Sequence, residues 1–165
     1  LREASNEAKL KKVIITGLTK DSFLLKIDSF GQLNTIFKDT NGQLQKCDYV
    51  LITKFRNKIR IIFIELKSSQ PGSNSNEIQN QFKSTECLMT YCDSILEKFH
   101  NQKNLLEDSD KIFIVFFHNR ANKTPSKFCR GNSSKLYRTI PISKSDQHIS
   151  VDRIIKEPYS ASSLS

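Results

Sequence analysis

Glycine is scarce in this sequence, with five residues among 165, too few to suggest a loop that cradles a nucleotide phosphate. The motifs G-x-S-x-G and H-E-x-x-H are absent as well. The three histidines, His100, His118 and His148, lie in no arrangement that suggests a catalytic triad or a zinc site. These absences argue against ATP hydrolysis and hydride transfer.

The cysteines give no sign of a metal site or a disulfide framework. Cys47, Cys87, Cys92 and Cys129 form no C-x-x-C pair, and no histidine stands at zinc-finger spacing from them. We interpret them as reduced structural thiols, which predicts a cytoplasmic protein. The sequence also has no apolar run long enough to cross a bilayer and no secretory signal pattern. The expectation is a soluble protein that has no membrane partner.

Charge is the first feature that points to a partner. The net charge is +9, and ten Lys or Arg residues against two acids lie between Lys111 and Lys156. A cationic excess concentrated in the last third favours a polyanion, with nucleic acid first. The alternative is a basic, solvated surface. Length and a hydrophobic fraction of 37% predict one globular domain over residues 1–156, followed by a frayed, Ser-rich tail over 157–165.

Residues 46–67, KCDYVLITKFRNKIRIIFIELK, predict a β-hairpin. Two apolar segments are separated by Arg56-Asn57, where asparagine tolerates the left-handed backbone of a tight turn. If the chain reverses symmetrically about this step, residues whose numbers sum to 113 lie opposite each other. Asp48 then faces Glu65, with Cβ atoms about 5 Å apart. Lys67 points to the same side of the sheet as Glu65.

This register predicts a metal site. Two carboxylates facing each other on apolar strands repel unless a cation compensates their charge. Carboxylate oxygens suit Mg²⁺ or Mn²⁺, so Asp48 and Glu65 are candidate metal ligands, with Lys67 nearby. The alternative is an acid pair that Lys67 holds as a salt bridge.

The pattern of Asp48, a hairpin and then Glu65-Leu66-Lys67 resembles the motif of the PD-(D/E)xK nuclease family, which has the restriction-endonuclease-like fold. Cys47 stands where many members have proline before the aspartate. The resemblance implies that Asp48, Glu65 and the backbone carbonyl of Leu66 hold one or two Mg²⁺ or Mn²⁺ ions. It also implies that Lys67 orients the attacking water or helps to deprotonate it.

The same resemblance suggests two further positions. Family members commonly place an acid of the first helix near the metal, and Glu7 is the candidate here, with Glu3 the alternative. Many members also have a glutamine early on the helix after the hairpin, close to the catalytic lysine or a substrate phosphate. Gln81 is the candidate for that role, with Gln79 the alternative. For each of these two glutamates and two glutamines, the alternative is an ordinary surface residue.

Periodicity and turn signals predict the remaining elements. Before the hairpin we expect a helix over residues 1–11 and strands over 12–18, 22–28 and 33–37, the strands forming an antiparallel meander. After the hairpin we expect a helix capped by Asn74 or Asn76, with an apolar stripe from Ile78 to Phe99. A buried strand over 111–118, a strand over 139–142 and a short closing helix follow. This order matches the αβββαβ core that the resemblance implies, an α/β (α+β) fold whose central mixed sheet is flanked by helices.

A basic loop is predicted over about residues 119–138. Cations neutralise phosphates, and Phe128 or Tyr137 could stack on an unpaired base. An ordinary connecting loop is the alternative. The candidate nucleic-acid-binding residues are Arg120, Lys123, Lys127, Arg130, Lys135 and Arg138.

Together these features predict a Mg²⁺-dependent endonuclease. DNA is the expected substrate rather than RNA, and the restriction or defence, resolvase and repair types stay open. Resolvases of the family are small, basic and dimeric, so a homodimer is one option. The alternatives are a catalytically inactive nucleic-acid-binding or assembly module of the same fold, or an RNA-cleaving, toxin-like nuclease.

Overall fold

The structure is a computed structural model that describes residues 1, 12–31, 38, 41–72, 75–102, 106, 109–118, 137–143 and 147–156. Several predictions from the sequence fall outside these residues. They are the helix over 1–11 with Glu3 and Glu7, the strand over 33–37, the candidate cap Asn74, and the tail over 157–165. The basic loop also lies outside them, apart from its last two residues.

The described residues form a mixed α/β fold. Its elements are β1 (Ile14–Thr16), β2 (Phe23–Lys26), a 3-10 turn (Ile27–Ser29), β3 (Tyr49–Phe55), β4 (Lys58–Lys67), α1 (Asn76–His100), β5 (Asp110–His118), β6 (Arg138–Ile142), β7 (His148–Ser150) and α2 (Val151–Lys156). Five strands form a mixed sheet in the order β2-β3-β4-β5-β6, and β1 and β7 form a separate pair. No helix in the described part of the chain is long and apolar enough to span a bilayer.

The chain divides into two compact units. The first comprises Leu1–Leu18, Leu66–Asn74 and Ile114–Ser165, and the second comprises Thr19–Glu65 and Ser75–Phe113. The division falls within β4, after Glu65, and within β5, after Phe113. The second unit therefore contains β2, β3, most of β4 and the whole of α1.

The hairpin of the second unit has the predicted register. Tyr49 pairs with Ile64 and Phe55 pairs with Lys58, so the paired numbers sum to 113. Arg56 and Asn57 both have positive φ, at 49° and 64°. A two-residue hairpin turn of type I′ requires positive φ at both central residues. The same register, continued by one residue beyond Tyr49 and Ile64, brings Asp48 opposite Glu65.

Helix α1 packs on this hairpin through the first half of its apolar stripe. Ile78, Phe82, Thr85 and Met89 are buried. The ring of Phe113 contacts both Phe63 and Phe82, with centroid distances of 4.8 and 5.3 Å. These aromatic contacts join α1 to β4 and β5.

Two predictions about α1 are wrong. The N-cap is Ser75, whose hydroxyl accepts a hydrogen bond from the Ile78 N–H at 3.4 Å, whereas Asn76 is the first helical residue. Phe99 belongs to the predicted stripe but is 77% exposed. Among the described residues, the apolar periodicity therefore continues beyond the part of the helix that is buried.

The first unit corrects two further predictions. β1 is not part of an antiparallel meander, because Ile14, Ile15 and Thr16 pair in parallel with β7. Tyr137 is 2% exposed, and its hydroxyl donates to the Gly72 carbonyl at 3.4 Å. Its ring is therefore unable to stack on an unpaired base. The predicted strands over 111–118 and 139–142 are confirmed as β5 and β6, which pair in parallel.

Candidate active site

Asp48 lies at the entrance to β3 and is held by its backbone on both sides. Its N–H donates a hydrogen bond to Glu65 Oε2 at 3.2 Å. Its carbonyl accepts a hydrogen bond from the Ile27 N–H at 2.9 Å, which joins Asp48 to the 3-10 turn that follows β2. Asp48 itself is half-buried. The backbone contacts therefore fix the position from which the Asp48 carboxylate projects.

Glu65 is a buried acid, with 3% of its surface exposed. Its Oε2 accepts the Asp48 N–H, and its Oε1 accepts a hydrogen bond from Gln81 Nε2 at 3.0 Å. Both of these donors are neutral groups, so these two bonds orient the carboxylate without neutralising its charge. Each carboxylate oxygen has two lone pairs, so an oxygen that accepts a hydrogen bond is still able to coordinate a cation.

Gln81, rather than Gln79, is the glutamine that contacts the candidate site. Its place in the second turn of α1 lets its side-chain amide reach Glu65 on β4. The Gln81 Oε1 atom is buried and has no hydrogen-bond partner among the described residues. A buried carbonyl oxygen of this kind is costly unless it meets a donor or a cation.

Thr85 is a buried polar residue that contacts this cluster, although it lies within the predicted apolar stripe from Ile78 to Phe99. Its side chain is fully buried, and its Oγ1 accepts a hydrogen bond from the Cys47 N–H at 2.9 Å. The same hydroxyl donates to the Gln81 carbonyl at 2.8 Å. A hydroxyl residue four positions after the candidate glutamine, within an apolar stripe, is the signal that could have identified it.

The pKa of the Cys47 thiol is affected by the charges of this cluster. Burial raises the pKa of its thiol from 9.0 to about 12, and the charges of Glu65 and Asp48 also act to raise it, while the polar surroundings at Thr85 and the Ile64 backbone oppose the shift. Both acids therefore act on the same buried sulfur. The thiol donates to the Tyr49 carbonyl at 3.4 Å, consistent with the structural role expected for it.

The other predicted site residues differ in how far the structure describes them. Leu66 and Lys67 are the last two residues of β4, and Glu65 and Lys67 are alternate residues of that one strand. Arg138 is the first residue of β6, and its guanidinium donates a hydrogen bond to the Ile154 carbonyl of α2. The roles of Leu66, Lys67 and Arg138 stay predictions. So do those of Glu7 and the loop cations, which lie outside the described residues: Arg120, Lys123, Lys127, Arg130 and Lys135.

The donor chemistry of the cluster fits a hard divalent cation. Asp48 and Glu65 supply carboxylate oxygens, which are the ligand type that Mg²⁺ and Mn²⁺ prefer. Two protein carboxylates are enough for Mg²⁺, because this ion commonly retains several waters. Within the described ranges, no group of three or more His, Cys, Asp or Glu side chains could hold a metal ion.

Comparison of the chain with protein-family models, with curated proteins and with solved structures found no match.

Proposed function

We propose that this chain is a metal-dependent endonuclease of the PD-(D/E)xK type, with a restriction-endonuclease-like core and DNA as its substrate. The observation that carries the proposal is the buried Glu65 carboxylate, which accepts hydrogen bonds from the Asp48 N–H and from Gln81 Nε2. Asp48 and Glu65 lie one position beyond the paired residues Tyr49 and Ile64. Burying a carboxylate beside a second acid costs free energy unless cations or hydrogen-bond donors compensate its charge. A divalent cation would contribute to that compensation.

The order of elements gives separate support. Three antiparallel strands, β2 to β4, are followed by the long helix α1 and then by the buried strand β5. This order supports the proposal because it agrees with the βββαβ part of the core that the resemblance implies. The glutamine suggested by the resemblance also contacts the glutamate of the motif, although the motif letters alone do not require this contact.

In the proposed mechanism, Asp48, Glu65 and the Leu66 carbonyl would hold Mg²⁺ or Mn²⁺. When bound, the ion would supply Lewis-acid stabilisation of charge on the phosphate and the leaving oxygen, and it would lower the pKa of a water molecule. Gln81 keeps the Glu65 carboxylate in a fixed orientation. Lys67 orients the attacking water or helps to deprotonate it, and its charge offsets the developing negative charge.

Nucleic-acid binding is assigned to the basic loop over about residues 119–138. The cations of this loop would neutralise phosphates without reading sequence, and binding would therefore weaken steeply as salt rises. DNA is proposed over RNA, and the homodimer stays an option that a measurement of mass in solution decides.

A substrate panel tests the proposal. Purified protein is incubated with single-stranded, duplex and four-way-junction DNA and with matched RNA, in Mg²⁺, Mn²⁺ or EDTA. We expect divalent-dependent cleavage of at least one DNA substrate, and we expect Asp48→Ala, Glu65→Ala and Lys67→Ala to abolish most of it. If all three variants cut as the wild type does, the proposed site is wrong.

The same panel separates the alternatives. Cleavage of RNA only would favour the toxin-like nuclease, and symmetric cutting of junctions but not of linear duplex would favour a resolvase. Salt-dependent DNA binding without cleavage, and with the same affinity in Asp48→Asn, would favour the inactive binding module.

A further inference from the structure

Thr85 is one of three polar or charged residues that are buried among the described residues, with Thr53 and Glu65. A hydroxyl removed from water costs free energy unless it forms hydrogen bonds. The hydroxyl of Thr85 uses its single donor on the Gln81 carbonyl and accepts from the Cys47 N–H. These two contacts fix its rotamer and leave it no freedom to turn toward solvent.

The two partners of this hydroxyl belong to the two parts of the chain that form the candidate site. Cys47 is bonded to Asp48, whose N–H donates to Glu65. Gln81 belongs to α1, and its side chain donates to the other oxygen of Glu65. Hydrogen bonds and covalent neighbours therefore form a closed ring through Cys47, Asp48, Glu65, Gln81 and Thr85.

We propose that Thr85 is a positioning residue, which holds the strand entrance at Asp48 and the helix turn at Gln81 at the separation that the acid pair requires. The inference rests on the proposed function, because this separation matters only if the two acids bind a metal ion. Contacts that orient metal ligands indirectly typically change metal affinity or activity about 10- to 100-fold when they are removed. Loss of the Thr85 hydroxyl is expected to act within that range.

Three variants separate positioning from packing. Thr85→Val keeps the shape of the side chain but removes both hydrogen bonds, and Thr85→Ser keeps the hydroxyl. Thr90→Val is the matched control, because Thr90 Oγ1 donates to the Glu86 carbonyl at 3.0 Å, the same helical bond made at an exposed position. Each variant is measured for Mn²⁺ affinity, for kcat and KM separately, and for the NMR signals of the Gln81 side-chain amide.

Thr85→Val is expected to weaken Mn²⁺ binding and lower kcat by about 10- to 100-fold, to leave KM for DNA nearly unchanged, and to shift the Gln81 side-chain signals. Thr85→Ser and Thr90→Val should resemble the wild type in all of these. If Thr85→Val lowers only the melting temperature, with Mn²⁺ affinity, kcat and the Gln81 signals unchanged, Thr85 is a packing residue and the proposal is overturned.

Two further outcomes remain decisive. If Thr85→Val does not fold, Thr85→Ala removes the same hydroxyl with less crowding and is judged by the same criteria. If the wild type neither cleaves nor binds Mn²⁺, the proposed function fails, and the Gln81 signals still test the positioning. A shift of the Gln81 signals in Thr85→Val but not in Thr85→Ser would support the positioning role of Thr85. Unchanged Gln81 signals would overturn that role.

Discussion

Gln81 Nε2 lies 3.0 Å from Glu65 Oε1 and donates a hydrogen bond to it. The bond links the second turn of α1 to an acid near the end of β4, sixteen residues earlier in the chain. Because Glu65 is almost fully buried, water has little access to its carboxylate, and bonds from the protein set its orientation. The helix therefore contributes directly to the orientation of the candidate metal ligand.

Replacement of Gln81 tests this contact. Gln81→Met keeps the length of the side chain but loses the bond to Glu65, so Mn²⁺ affinity is expected to fall by about 10- to 100-fold. Gln79→Met is the control, because Gln79 lies two positions earlier on the same helix. Isothermal titration compares the two, and equal affinities in both variants would contradict the role given to Gln81.

The register of the hairpin depends on its turn. Asn57 has φ of 64°, a backbone conformation that costs a β-branched residue about 1–2 kcal/mol. We therefore expect Asn57→Val to lower the free energy of unfolding by about that amount, while Asn57→Gly avoids the steric penalty. Urea unfolding measures both. Equal stability of the two variants would mean that the left-handed turn is not formed.

Phe63 and Phe99 provide a matched test of the packing. Phe63 is 1% exposed and stacks on Phe113, so Phe63→Ala is expected to cost about 3–5 kcal/mol. Phe99 is 77% exposed, and Phe99→Ala should change stability by no more than about 0.5 kcal/mol. Urea unfolding of both variants checks this. A large loss in Phe99→Ala would show that the end of α1 is covered.

The thiol of Cys47 predicts a specific alkaline sensitivity. Burial raises its pKa to about 12, so the neutral thiol is favoured in the folded protein. Its contribution to stability is complete below about pH 9 and is lost as pH rises from there towards about 12, by at most about 1.4 kcal/mol per pH unit. Stability curves of the wild type and Cys47→Ala should therefore converge over this range.

Cys87→Ala is the control for this comparison, because Cys87 is exposed. Its stability should follow that of the wild type at every pH. A difference between wild type and Cys47→Ala that stays constant from about pH 8 to about pH 11 would contradict burial of the Cys47 thiol.

The sequence was sufficient to predict the hairpin and its register. Two apolar segments and one turn leave few possible pairings, and symmetry about Arg56-Asn57 predicts the pairs observed from Tyr49–Ile64 to Phe55–Lys58. The start of the stripe on α1 was predictable for a similar reason, since local periodicity determines which helix face meets the strands. In both cases the information lies within a short stretch of chain.

The errors concern features that depend on distant or competing residues. The parallel pairing of β1 with β7 joins residues at opposite ends of the sequence, and no local pattern in β1 identifies such a partner. Phe99 continues the periodicity but has no element among the described residues to bury it. Ser75 stands between two asparagines that are equally good caps, and the choice depends on backbone geometry. The hydrogen bond between the Cys47 N–H and Thr85 Oγ1 joins residues 38 positions apart, so no local pattern in α1 identifies it.

The most direct test of the central claim is calorimetric titration of the protein with Mn²⁺. The account predicts that the wild type binds, that Asp48→Asn and Glu65→Gln each lose most of the affinity while remaining folded, and that Asp28→Asn, which removes an exposed carboxylate, binds as the wild type does. No binding by the wild type, or binding by Asp48→Asn and Glu65→Gln equal to that of the wild type, would contradict a cation shared by Asp48 and Glu65.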